Sequence, residues 1–180
     1  MTNYRRSKIA GGIYFFTVVT EERRPVLTTE AVRMALREAI QQARTTMPFQ
    51  IEAWVLLPDH LHCIWTLPEG DANYSARWAI IKRRVSGRCA EIVNASQSDS
   101  GRKRNERSFW QRRFWEHQIQ DDADMARHQD YIHWNPVKHG LVKAVRDWPY
   151  SSFHKYVAGG IYLRDWGGSE IVAAGGDFGE

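Results

Sequence analysis

The sequence predicts an α+β fold of the ferredoxin-like split βαβ kind: an antiparallel sheet with helices on one face, then a further C-terminal helix and a packed tail. Three observations predict it. Short β-branched and aromatic runs recur at 13–20, 50–57 and 60–67, the signature of strands. Two segments between and after them repeat their apolar residues at helical spacing. The order of these elements is β-α-β-β-α-β, with one more helix following.

The first strand, IYFFTVVT, is aromatic and β-branched, as expected of a buried strand. Thr28 or Thr29 is placed to cap the next segment, where Val32, Leu36, Ala39, Ile40 and Ala43 mark a helix over roughly 29–45. QIEAWVLL and HLHCIWTL are separated only by Pro58-Asp59, so they form a tight antiparallel pair. Trp78, Ile81, Val85, Cys89 and Ile92 form one stripe and predict a second helix over about 74–93, with Arg77, Arg84 and Arg88 opposite. The segment 94–108 has almost no apolar residues and reads as a basic loop. WEHQIQ reads as a short strand. A third helix starts near Asp121 and is expected to end by Asn135, because a proline disfavours helix at the residue before it. The tail keeps Trp148, Tyr150, Phe153 and Tyr156 and is expected to pack back onto the body.

At 180 residues, with 43% hydrophobic and 12% aromatic residues, the chain suits one domain over 1–180, with a core over about 12–141 and a tail over 142–180. The longest apolar run, 13–19, is far short of the roughly 20 residues of a membrane span. The start, MTNYRRSKIAGGIYFF, has no long apolar segment before a small-residue cleavage site. A cytoplasmic protein is expected. Cys63 and Cys89 lack metal-type spacing and read as reduced core thiols.

The positive charge is concentrated. Between Arg77 and Arg113 stand eleven lysines and arginines against three acids, whereas the remainder of the chain is net acidic. Arg77, Lys82, Arg83, Arg84, Arg88, Arg102, Lys103, Arg104, Arg112 and Arg113 are the candidates for contact with a phosphate backbone. A merely solvated helix face is the competing account of the same charges.

Two groups of residues suggest chemistry. His60 and His62 stand two apart in a strand, so both imidazoles project from one face as half of a divalent-metal site. Tyr131 and Asn135 share a face of the third helix, which Asp124 and His128 extend upstream. His117 on the preceding strand is a possible further ligand, and His128 is one turn from the Tyr131 hydroxyl. Each feature also has a structural account: half-exposed sheet histidines, a packed tyrosine ring, or Asn-Pro as a helix cap.

Together these segments carry a resemblance. PDHLHCIWTLP, followed about 70 residues later by DYIHWNPVKHGLV, with FWQRRFWEHQIQDD between them and DWPYSSFHKY in the tail, resembles the single-tyrosine transposases of the insertion-sequence type. The specific likeness is to their REP-associated branch, and it runs from about Tyr14 to Tyr156. The resemblance implies that His60, His62 and Asn135 bind Mg²⁺ or Mn²⁺. It implies that Tyr131 attacks single-stranded DNA, leaving a 5′-phosphotyrosine and a free 3′-hydroxyl that a second transfer rejoins. The partner it implies is a palindromic hairpin of REP type. With the aromatic tail, it implies a monomer rather than a dimer exchanging the tyrosine helix. Lys138-His139 departs from the small residue and arginine common in the family. Two alternatives belong to other classes. One is an inactive hairpin-binding module. The other is a metal-dependent nuclease using water on His60, His62 and His117.

Overall fold

The computed structural model describes residues 7–90 and 108–167. Four strands form one antiparallel sheet in the order β2-β3-β1-β4. They are β1 (Ile13–Val19), β2 (Gln50–Leu56), β3 (His60–Thr66) and β4 (Trp115–Gln118). Between them run α1 (Glu30–Thr46) and α2 (Tyr74–Arg88), and α3 (Asp122–Lys138) and α4 (Phe153–Ala158) follow. This is the element order and strand order of the split βαβ fold.

The sheet is covered on both faces, which is why β1 reads as an unbroken apolar run. Its alternate residues Tyr14, Phe16 and Val18 join Leu61, Cys63 and Trp65 of β3 against Leu36, Ala39 and Ala43 of α1 and Trp78, Ile81 and Val85 of α2. The Trp65 and Trp78 rings stack at 4.3 Å. The opposite face presents Phe15, Ala53, Val55 and Ile64 to Tyr131 and Ile132 of α3. A period of two therefore sends one set of β1 side chains to the helical pair and the other to the third helix.

The β2–β3 turn closes with Leu57 N–H donating to the His60 carbonyl at 2.9 Å, and the register between the strands shifts at Ile51/Ala53. The tail seals the outer edge of β2. Leu56 N–H donates to the Tyr150 carbonyl, Ser152 N–H to the Trp54 carbonyl, and Trp148 Nε1 to the Leu56 carbonyl at 3.0 Å. An edge strand is thereby satisfied within the chain. On the inner side of this seal His133 of α3, wholly buried, bonds the Ser152 hydroxyl at 2.9 Å.

Four expectations are corrected. α2 ends at Arg88 with Cys89 as its cap, so Cys89 closes the apolar stripe, and Ile92 lies outside the described residues. Thr29 sits at the N-cap of α1 without a side-chain cap; its hydroxyl donates to the Val26 carbonyl instead. Arg77 does not face solvent. It stands three after Tyr74 and four before Ile81, on the apolar stripe itself, and is wholly buried. Its guanidinium pairs with Asp71 at 2.7 Å and donates to the carbonyls of Met47, Pro48 and Asn73, closing the C-terminal end of α1. Finally, α3 runs through Pro136 to Lys138. A proline in the last turn forfeits little of the helical ladder, and burial of Ile132, Asn135 and Pro136 holds the turn in place.

Candidate active site

His60 and His62 are buried, with 1% and 0% exposure, and their rings stand 4.9 Å apart. The β1–β3 register places Thr17 opposite His62, and Thr17 Oγ1 lies 2.8 Å from His62 Nδ1. His60 Nδ1–H donates to the Asp59 carboxylate at 2.6 Å. Burial would raise the Asp59 pKa, but the His60 contact and Arg23 at 3.0 Å outweigh it and hold this carboxyl at about 2. Both Nδ1 atoms are thus engaged from behind, which sets ring orientation and makes Nε2 the atom each imidazole presents.

Helix α3 crosses this pair. The Tyr131 ring lies 5.2 Å from His62, and the His139 ring lies 5.1 Å from His60. Tyr131, Asn135 and His139 are successive turns of one helical face. Asn135, wholly buried, therefore stands on that face between the two histidine contacts. Lys138 Nζ donates to the Tyr131 hydroxyl at 3.1 Å and sits 4.8 Å from its ring centroid. The extension of α3 past Pro136 puts Lys138 and His139 here.

A second group lies upstream. His117 Nε2 donates to Asp124 Oδ2 at 2.8 Å, His128 Nδ1 donates to the Asp124 carbonyl at 2.8 Å, and the two rings stack at 4.6 Å. Burial tends to raise the Asp124 pKa, but the His117 hydrogen bond and the Gln120 N–H prevail, and it falls below its usual value. Burial lowers that of His128. Phe15 fills the space between this group and the first pair, its ring 5.4 Å from His62 and 4.9 Å from His128. His117 thus joins Asp124 and His128 rather than His60 and His62, contrary to the water-nuclease alternative. Lys138 donates to the Tyr131 hydroxyl, and His128 bonds the Asp124 carbonyl and packs on Phe15.

The basic residues divide. Arg83, Arg84, Arg88, Arg112 and Arg113 are exposed, Arg88 pairing with Glu38. Lys82 is committed internally, donating to the Gln111 carbonyl at 2.8 Å over the Phe114 ring. Arg77 is buried, as described. Arg102, Lys103 and Arg104 lie outside the described residues. Sequence reasoning missed Asp59, Thr17, Lys138 and His139. Asp59 had a signal, an acid directly before the His-x-His pair. Lys138 and His139 had helical spacing from Tyr131, hidden by the expected stop at proline.

A buried imidazole pair backed by a carboxylate and a hydroxyl, facing a tyrosine that an ammonium contacts, defines a site suited to phosphoryl transfer through a tyrosine oxygen. The chain belongs to the IS200-like transposase family, whose model matches residues 9–135. It is 46% identical to the REP-associated tyrosine transposase of Escherichia coli (strain K12), over 98% of each chain. It is 45% identical to a putative REP-associated tyrosine transposase of Haemophilus influenzae, over 98% of this chain and 99% of the relative. A REP-associated tyrosine transposase solved bound to a REP hairpin matches with a TM-score of 0.76 and 43% identity, covering 96% of this chain and 100% of that one.

Proposed function

We propose that this chain cleaves and rejoins single-stranded DNA at palindromic hairpins of REP type, with Tyr131 as the nucleophile. His60, His62 and Asn135 would hold a divalent ion, Mg²⁺ or Mn²⁺. The observation that carries the reading is the placement of Tyr131 against His62 on a helix face that continues through Asn135 to His139 beside His60. The hairpin partner is inferred from the relative solved with one.

The donor set fits such an ion. Two imidazoles oriented through Nδ1, one by a carboxylate, are the outer-shell pattern of histidine ligands. Nitrogen donors suit Mn²⁺ better than Mg²⁺. When bound, the ion would polarise the scissile phosphate and stabilise the departing oxygen.

The protein's own groups account for the remainder. A phenol of ordinary pKa about 10 is a weak nucleophile at neutral pH, and the Lys138 ammonium favours negative charge on the Tyr131 oxygen. That oxygen attacks phosphorus. The bond from phosphorus to the 3′-oxygen breaks, leaving a 5′-phosphotyrosine and a 3′-hydroxyl. A 3′-hydroxyl from another strand then attacks the same phosphorus and releases the tyrosine. One phosphodiester is consumed and one is formed, so joining needs no ATP. The exposed arginines 83, 84, 88, 112 and 113 meet the DNA backbone, and the neighbouring residues 102–104 would add to that charge. The tail's seal on β2 supports a single domain acting as a monomer.

The test uses labelled single-stranded hairpin DNA from the palindromic repeats beside the gene, with Mn²⁺. A labelled, protease-sensitive band at protein mass that vanishes in Tyr131→Phe is the expected result. A specific, salt-sensitive shift with no covalent band would instead make the chain a binding module. Cleavage that persists in excess chelator would overturn the metal assignment.

A further inference from the structure

Among the described residues, His117, Asp124 and His128 form the one group of three histidine, cysteine or acidic side chains whose ligand atoms all lie within 4.8 Å of one another. We infer that this group is a second divalent-metal site, separate from the His60–His62 pair, that ties strand β4 to the helix carrying Tyr131.

The geometry supports it in two ways. Metal–nitrogen and metal–oxygen bonds of about 2.0–2.2 Å bring neighbouring ligand atoms to roughly 3 Å from each other. Asp124 Oδ2 lies 2.8 Å from His117 Nε2, and Asp124 Oδ1 lies 3.2 Å from His128 Nδ1, so these atoms stand near that spacing, and an ion would take the place of the protons that the two nitrogens donate to Asp124. The placement is also built rather than fortuitous. Asp124 and His128 are 4% and 5% exposed, and Asp124 is held by the Gln120 N–H at 3.0 Å and Arg127 at 3.0 Å. The His117 side chain is 34% exposed, which leaves an entry path for an ion.

Two imidazoles and one carboxylate select late first-row divalent ions such as Zn²⁺ and Co²⁺ over Mg²⁺ and Ca²⁺, which prefer oxygen. The site would differ in role from the first. Phe15 stands between it and His62. His128 lies one helical turn before Tyr131, so an ion there would fix the start of α3 against the edge strand β4. The ion would therefore act on the position of the tyrosine helix and not on the phosphate.

The experiment is a calorimetric titration of the full-length protein with Zn²⁺, and with Co²⁺ read by visible absorption, for four proteins whose fold is checked by circular dichroism. These are the native chain, H117A, H60A/H62A and H60A/H62A/H117A. The expected counts are two equivalents, one, one and none. Zn²⁺ should raise the melting temperature of H60A/H62A and leave that of the triple variant unchanged. A native count that H117A does not change, or binding that survives in the triple variant, would overturn the inference. Should H60A/H62A not fold, the native chain against H117A decides it alone, because His117 lies on an edge strand and half in solvent. Failure of this site leaves the His60–His62 count intact and is thereby distinguished from failure of the proposed active site.

Discussion

Replacing Lys138 by methionine keeps the chain length over the Tyr131 ring and removes the charge 3.1 Å from its oxygen. Two unit charges at that separation interact by about 5 kcal/mol at an effective dielectric of about 20, and by little more than about 1 kcal/mol in bulk water. Lys138 is exposed, so solvent screening holds the stabilisation of a tyrosine anion near the lower limit, at about 1–2 kcal/mol. That corresponds to a roughly five- to thirtyfold slower attack at neutral pH. The assay is the single-turnover rate of covalent adduct formation at saturating hairpin DNA, which separates attack from DNA binding. The deficit should shrink as pH rises towards the ordinary tyrosine range near about 10, because the hydroxyl then ionises without help. Lys138→Arg should recover part of the rate. An unchanged rate and pH profile in Lys138→Met, with the fold intact, would refute the role given to this ammonium.

Three further outcomes are expected. His133 is wholly buried, and burial lowers its pKa from 6.5 to about 3. The unfolded chain therefore takes up a proton below pH 6.5 that the folded chain refuses, and stability present above that pH is lost as pH falls towards 3. The loss at pH 5 should be about 2 kcal/mol, read from urea midpoints, and the slope should flatten in His133→Gln; equal slopes would count against the argument. Arg77→Ala should cost about 3 kcal/mol, because it leaves Asp71 and three carbonyls without their donor. The melting temperature should then drop by about 10 °C, and DNA affinity of the folded fraction should be unchanged. Arg83→Ala with Arg84→Ala should weaken hairpin binding at low salt and reduce its salt dependence by about two units of slope; a slope equal to that of the native chain would remove these residues from the interface.

The local order of this protein was determined by its sequence. The apolar run of β1, the Pro58-Asp59 turn and the helical spacing of α1 and α2 each depend on neighbours within a few residues, and the sheet order follows from the sequence of elements. The same holds for the His60–His62 pair and for Tyr131 with Asn135, since periods of two and of four fix shared faces without long-range information. Tertiary structure decided what surrounds those faces. Thr17 reaches His62 only because β1 pairs with β3 in that register. Arg77 changes from a surface charge to a buried clasp because the end of α1 meets it. Helix α3 continues past Pro136 because its last turn is buried against the sheet, and packing outweighs the local preference to stop. That extra turn delivers Lys138 to the Tyr131 oxygen and His139 to His60. The tyrosine was legible from local pattern, whereas the charge beside it depends on where the helix ends, which only contacts distant in sequence could settle.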